Sequence, residues 1–582
     1  MRFSGRSARS VSAPQAIELI ESDELLVVGG PMGRAVVFGH CFASRDELET
    51  GLREFIETGA PKCFNGWPGC YSIAVLQPLS VTLLTDPVGQ FPLYLARAGE
   101  DVVFGTSASA LAALVNAEPD RVTLLATLTS PEASDLFDAR SMFAGVERLD
   151  AGHMTRITDG HVKSEPYLQL RPNAQVSLAE AAAMLRLSLA RAIDARVRAA
   201  GLLTSDFSGG LDSTSLAFLA EIRSPRLPVL TYLNESRPVT DDVDHAVRVA
   251  KLANGLEHHL IIGTDADLPY QNIDALAEEP HSSAVATGSM KARLEVAAKL
   301  GSDLHLVGEG GDIVLGAPAA YLADLGRKRD LPRLWHHCLG WARIRNRSPM
   351  SLLSQAITAS RTSRSTAFAD LAGQIARGRP TGAVTWERDN IAYWTVPHAN
   401  WLTAPARRTL AEHVDACGSR LSADDETSVG DVVTSARLRL QALTQRAVRS
   451  AGAKSGVAVH APYLDTDVVH ACLALSASRR ASITTPKPLL RAALSGLVPE
   501  LVLTRPTKGD YTADAYQGIR RAAPVLRRLL ENPATADHGL IEPAPVRQTV
   551  ARAIDGLPTP WGALNQWIAV EVWLRNQSGE AE

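Results

Sequence analysis

The run Ser208-Gly209-Gly210-Leu211-Asp212-Ser213 has residue types suited to holding an anion. Two glycines let oxygen atoms approach the main chain, successive amides at a helix start point toward negative charge, and the Ser208 and Ser213 hydroxyls add donors. Asp212 can hold a divalent ion that neutralises phosphate charge. The run lacks the Gly-Lys-Ser/Thr ending of a Walker A loop. A second turn, Gly308-Glu309-Gly310-Gly311-Asp312, brings two further carboxylates.

Elements of alternating type must position both turns. Ser177-Leu178-Ala179-Glu180 is a capping box that opens a helix, and Leu185, Leu189, Ile193 and Val197 recur at i+4 to give it one buried face. A strand from Leu202 to Phe207 then runs straight into Ser208, and a helix carrying Leu216 and Leu219 follows. Val229 to Leu233 and His258 to Ile262 read as further strands, with the helix between them stopping at Asn254-Gly255. A fourth strand, Asp303 to Val307, ends at Gly308. Such alternation predicts a parallel sheet, whose ligands sit beyond the carboxyl ends of the strands, where both turns lie.

Ahead of Pro172 the texture differs. Between Glu24 and Leu114 short apolar runs such as Val36 to Phe38, Tyr71 to Val75 and Val81 to Leu84 alternate with Gly, Pro and Asp turns, which predicts a strand-rich domain. We therefore divide the chain into residues 1–172 and 173–582. From Arg327 to Arg379 the sequence is rich in Arg, Ser and Trp, and reads as a solvated helical face with a few buried Trp, or else as a docking surface for an acidic or peptide partner.

Length and composition narrow the function classes. The 582 residues exceed one hydrophobic core, and 46% hydrophobic with 21% charged residues is ordinary for a globular protein. No apolar stretch approaches the ~20 residues of a membrane span, and 59 Lys plus Arg against 63 Asp plus Glu leave no nucleic-acid footprint. Six scattered cysteines without C-x-x-C spacing argue against a zinc site or a disulfide framework, so a cytoplasmic setting without membrane or nucleic-acid partners is expected.

At the Ser208 to Ser213 run the sequence resembles the asparagine synthetase-like ATP pyrophosphatases. The resemblance continues through Asp241-Asp242, Glu279-Pro280, the turn at 308–312, Pro462-Tyr463-Leu464-Asp465 and Lys508 in Arg505-Pro506-Thr507-Lys508-Gly509. Gly69, Asp86, Gly89, Pro92-Leu93-Tyr94 and Phe104-Gly105-Thr106-Ser107 resemble the family's N-terminal glutaminase domain. The resemblance implies an α/β and α+β chain: a four-layer αββα domain of class II glutaminase type, then a parallel-sheet ATP-pyrophosphatase domain. It implies ATP and Mg²⁺ as cofactors and adenylation of a carboxylate with release of AMP and pyrophosphate. Ser208, Gly209, Gly210, Leu211, Asp212, Ser213, Leu233 and Gly308 would bind ATP, and Asp212 with Asp312 would hold Mg²⁺. Glu309 would deprotonate the attacking amine, and Lys508 would stabilise negative charge on phosphates or the acyl intermediate.

One departure shapes the expected function. Glutamine-using members need a cysteine at position two as nucleophile, and here that residue is Arg2, which predicts a glutaminase-like domain without glutaminase activity. Cys63 and Cys70 read as structural. Members that form amides without glutamine include the β-lactam synthetases and the lasso peptide cyclases, or macrolactam synthetases. The segment from Arg505 to Asp514 is most similar to the lasso cyclases, and Glu309 stands where β-lactam synthetases place Tyr. The implied substrate is a lasso precursor or core peptide whose Asp or Glu side chain is joined to its own N-terminal amine. The implied partners are a leader-peptide recognition protein and a leader protease. An ammonia-using asparagine or β-lactam synthetase is the alternative within this fold, and a catalytically silent peptide-binding scaffold is the alternative outside it.

Overall fold

Each buried strand of the first domain alternates its side chains between two apolar layers, and this alternation builds the domain. In the computed structural model, which describes residues 3–7, 18–19, 25–30, 32–235, 241–271, 273, 278–378, 391–395, 398–421, 428–505 and 512–578, eleven strands precede residue 170. In chain order they are β1 (Phe3–Ser7), β2 (Glu18–Leu19), β3 (Leu25–Gly30), β4 (Gly33–Cys41), β5 (Gly69–Gln77), β6 (Ser80–Leu84), β7 (Tyr94–Ala98), β8 (Asp101–Gly105), β9 (Val146–Arg148), β10 (His153–Thr158) and β11 (His161–Pro166). They form two antiparallel sheets, one in the order β2-β1-β8-β7-β9 and one in the order β11-β10-β6-β5-β4-β3.

Val36, Phe38, Ala74, Leu76, Val81 and Leu83 of the larger sheet face Leu93, Leu95, Val102 and Phe104 of the smaller sheet and its approach. On the opposite face of the larger sheet, Val37, Ile73 and Val75 meet Leu48, Leu52 and Phe55 of helix Arg45–Thr58. Tyr94, Ala96 and Val103 on the outer face of the smaller sheet meet helices Ala108–Val115 and Arg121–Thr129. The layers are thus helix, sheet, sheet, helix, as period-two strands with both faces buried require. Cys70 is buried and donates its thiol to Asp86 Oδ1 at 2.9 Å, and all six cysteines are free.

The second part carries β12 (Leu203–Asp206), β13 (Leu227–Asn234), β14 (Leu256–Gly263), β15 (Leu304–Leu306) and β16 (Ala458–His460). They pair in parallel in the order β14-β13-β12-β15-β16. Ser177 caps helix Leu178–Ala199 through a complete capping box with Glu180, and Leu185, Leu189 and Ile193 are its buried face. The helix between β13 and β14 ends at Ala250 and not at Asn254-Gly255, because the chain tightens there into a turn in which the Leu252 amide donates to the Val249 carbonyl at 3.0 Å. The Arg-rich stretch forms helices Leu331–Arg345, Pro349–Arg361 and Arg364–Arg377; Trp341 donates to the Tyr321 hydroxyl at 2.9 Å while Trp335 is exposed. Among the described residues no helix is long and apolar enough to cross a membrane.

The two parts meet beside a buried charge pair that lies within the second part. Arg196 of helix Leu178–Ala199 gives two bonds of 2.7 Å to Asp465, with 0% and 2% side-chain exposure, and its guanidinium lies 5.0 Å from the centre of the Phe42 ring. His460 stacks on His40 of the first domain at 3.6 Å, and Gln90 donates to the Leu464 carbonyl at 2.9 Å. Burial, with His40 and Arg196 adding to it, pulls the His460 pKa well below the ordinary imidazole value, which favours the neutral form of that ring. Changing Asp465 to Asn leaves the guanidinium buried without its counter-charge and should lower stability by about 3–5 kcal/mol. Denaturant unfolding of Asp465→Asn against the parent protein measures this, and an unchanged midpoint would refute it.

Candidate functional site

The loop after β12 begins with a conformation that excludes side chains. Gly209 has φ +72°, and a Cβ there would stand 2.7 Å from the Asp242 carbonyl oxygen. The loop therefore lies directly on helix Asp241–Ala250. Ser208 Oγ and Ser213 Oγ are 2.9 Å apart, and the Gly210 amide donates to Ser208 Oγ at 3.2 Å. Gly210 is the N-cap of helix Leu211–Glu221 and supplies no side chain to cap the first turn. Leu233 is buried at the carboxyl end of the neighbouring β13.

The second glycine turn interlocks with the first. A Cβ on Gly308 would lie 2.7 Å from the Ser213 amide nitrogen, and one on Gly311 would lie 2.5 Å from the Asp212 carboxyl carbon. Gly310, at φ +86°, passes beneath Leu464. The absence of side chains at these positions lets the ends of β12 and β15 close on each other. Asp212 and Asp312 thereby come within reach of a single ammonium: Lys487 Nζ donates to Asp312 Oδ1 at 2.6 Å and to Asp212 Oδ2. Burial alone would lower the Lys487 pKa, but the two carboxylates outweigh it and hold it above the ordinary lysine value. Glu309 accepts a bond of 2.6 Å from Gln441 Nε2 on helix Val429–Lys454, and Tyr463 donates to the Asp212 carbonyl at 3.4 Å.

Beneath the loops the strand ends are pinned. Asp206, the last residue of β12, pairs with Arg293 at 2.8 Å and with His305 of β15 at 3.1 Å. Burial would raise its pKa, yet Arg293 and His305 together hold it below the ordinary carboxylate value. Arg505 fastens the loop from outside, donating to the Gly209 carbonyl at 2.7 Å and pairing with Asp242.

The structure thus brings Ser208, Gly209, Gly210, Leu211, Asp212, Ser213, Gly308, Glu309 and Asp312 together at the carboxyl edge of the sheet. Lys508 lies outside the described residues, as does Arg2. Sequence reasoning missed Lys487, Gln441 and the clamping role of Arg505. The signal for Lys487 was present, because it sits between Pro486 and Pro488 ahead of the apolar turn Leu489-Leu490. Two carboxylates on facing loops are hard oxygen donors, the type that binds Mg²⁺ when phosphate oxygens and water complete its shell. Among the described residues no group of three His, Cys, Asp or Glu side chains forms a protein-only metal cage.

A methyl group at Gly311 should push the Asp212 carboxylate aside without requiring an unusual backbone. Displacement near 1 Å at a reacting centre costs roughly 10²-fold in rate. Gly311→Ala should therefore lose about that much ATP turnover while keeping a cooperative unfolding transition; turnover within threefold of the parent, about 0.6 kcal/mol of barrier, would contradict the interlock.

Comparison with known proteins agrees with this geometry. The sequence pattern of asparagine synthase matches residues 184–575, and that of a glutamine amidotransferase domain matches residues 35–168. No curated protein matches the chain. Among solved structures, glutamine phosphoribosylpyrophosphate amidotransferase from B. subtilis complexed with ADP and GMP is 12% identical, with 52% of this chain and 84% of that chain covered at a TM-score of 0.20. A second, described as the allosteric regulatory enzyme of purine biosynthesis, is 14% identical over 44% of this chain and 59% of that one, with a TM-score of 0.18. Likeness at these scores carries no argument, and the assignment rests on the two sequence patterns, which coincide with the layered N-terminal domain and the parallel-sheet domain. With its glycine loops, facing carboxylates and matched synthase region, the chain belongs to the asparagine synthase family of ATP-dependent amide-forming enzymes, joined to a glutamine amidotransferase-type N-terminal domain.

Proposed function

We propose that this protein closes a peptide on itself, as a lasso peptide macrolactam synthetase does. An Asp or Glu side chain of the core peptide attacks the α-phosphorus of ATP, pyrophosphate leaves, and the peptide's N-terminal amine then displaces AMP to form an isopeptide bond. The observation that carries this reading is Arg2 in place of the nucleophilic cysteine, beside an ATP loop that retains Asp212, Asp312 and Glu309. An amide-forming enzyme without a glutamine-derived ammonia source needs another amine, and a peptide that carries both carboxylate and amine supplies it. A groove of about 630 Å³ lined by Asp241, Asp244, His245, Arg248, Leu501 and Arg505 adjoins the loop clamp and supports a substrate longer than one amino acid.

In this reading the amides and hydroxyls of Ser208 to Ser213 receive the phosphates, and Leu233 lines the adenine. Asp212 and Asp312 would hold Mg²⁺, which supplies charge neutralisation to the phosphates when bound. Glu309, oriented by Gln441, takes the proton from the attacking amine. Lys508 stabilises the charge that develops on pyrophosphate and on the tetrahedral oxyanion. The N-terminal domain keeps its layers but acts as a scaffold. A leader-peptide recognition protein and a leader protease would deliver the peptide with its amine exposed, in the cytoplasm.

Two experiments test the reading. AMP release should respond to a leader-free peptide bearing an internal Asp or Glu and should yield a product lighter by one water. A response to free aspartate with ammonia instead would establish the asparagine synthetase alternative. In the second, Lys508→Ala should leave nucleotide affinity largely intact and cost roughly 10²–10³-fold in ring formation, the scale for one preorganised electrostatic group. Ring closure at more than about a tenth of the parent rate would place Lys508 outside the chemistry.

A further inference from the structure

Lys487 occupies its position against two local preferences. Its backbone is left-handed, with φ 45° and ψ 60°, a region that non-glycine residues adopt only where their surroundings hold them. It is also the N-cap of helix Pro488–Leu494, the end of a helix where a cation is electrostatically disfavoured, and it makes no side-chain capping bond. Pro488 keeps the preceding residue out of the right-handed helical region, so Lys487 cannot relax by joining the helix. What compensates is the carboxylate pair, to which the ammonium delivers bonds from a side chain only 13% exposed. Asp312 is 55% exposed, so this pair remains open to solvent on one side.

An ammonium between two carboxylates does electrostatically what a metal ion would do there. We infer that Lys487 is a resident cation that holds the site closed to free divalent ions, so that metal enters only together with nucleotide, whose phosphates accept the displaced ammonium. The inference rests on the reading that Asp212 and Asp312 hold the metal. A free divalent ion must displace a unit positive charge and gains no new partner for it. A metal–nucleotide complex supplies phosphate oxygens to which the ammonium can transfer. Metal and nucleotide affinities must then be coupled, each raising the other by the same factor. The site would also avoid filling with divalent ion between turnovers.

Mn²⁺ is a suitable probe, since its free fraction can be read by electron paramagnetic resonance on the full chain with and without α,β-methylene ATP. Without nucleotide, Lys487→Met should bind Mn²⁺ roughly ten- to a hundredfold tighter than the parent, the scale of removing one competing unit charge from a part-buried site. Lys487→Arg should bind as weakly as the parent, and Lys487→Met with Asp312→Asn should lose the gain. Equal Mn²⁺ affinity in Lys487→Met and parent would overturn the inference. If Lys487→Met does not fold, the parent decides: nucleotide analogue should raise its Mn²⁺ affinity at least about tenfold, and no rise would overturn the inference equally. Asp312→Asn in the parent separates the underlying reading, because analogue-dependent Mn²⁺ binding that survives this change removes the metal assignment itself, whatever Lys487 does.

Discussion

The closure of two glycine turns on each other is the constraint on which the site depends. Gly308 and Gly311 present no side chain to Ser213 and Asp212, and any larger residue would part the ends of β12 and β15. Once these ends meet, the negative charges of Asp212 and Asp312 face a common space and require a counter-charge. Lys487 supplies it from a strained backbone position between two prolines. The Asp206 cluster below and the Arg505 clamp outside then fix the same two strand ends against the rest of the sheet. The strong electrostatics of the site thus follow from an absence of atoms at a few backbone positions.

The same economy governs the junction between the parts of the chain. A domain with the layered glutaminase architecture is held on the synthase region by Phe42 against the guanidinium of the buried Arg196–Asp465 pair, by the stacking of His40 on His460 and by a bond from Gln90 to the Leu464 carbonyl. Asp465 directly follows the turn whose Tyr463 reaches the Asp212 carbonyl and whose Leu464 lies over Gly310. The interface is therefore continuous with the site, so the first domain supports the turn that packs on the ATP loop.

Much of this was legible in the sequence. Short apolar runs between turn residues reported β4, β5 and β6 of the first domain, but not β7 to β11, and the capping box at Ser177 reported the helix that carries Arg196, because these are local patterns. The glycine turns were legible because their residue types are rare in combination. What the sequence did not reveal is what tertiary closure creates. β16 is three residues long and carries no period of its own, and its pairing with β15 is a long-range event. Lys487 comes to Asp212 from 275 positions away, Gln441 comes to Glu309 from 132, and Arg505 comes to Asp242 from 263. The end of the helix at Ala250 was misread because Asn254-Gly255 resembles a helix stop, whereas the chain had already turned.

Direct attack of a peptide carboxylate on ATP is the central step of the proposed reaction. The most direct measurement is to label the side-chain carboxylate of the acceptor Asp or Glu with heavy oxygen, run a single turnover, and determine by mass spectrometry where the label goes. Adenylation followed by amine attack predicts one labelled oxygen in the phosphate of AMP for each ring formed. Label appearing in inorganic phosphate with ADP as product, or rings formed with unlabelled AMP, would contradict it.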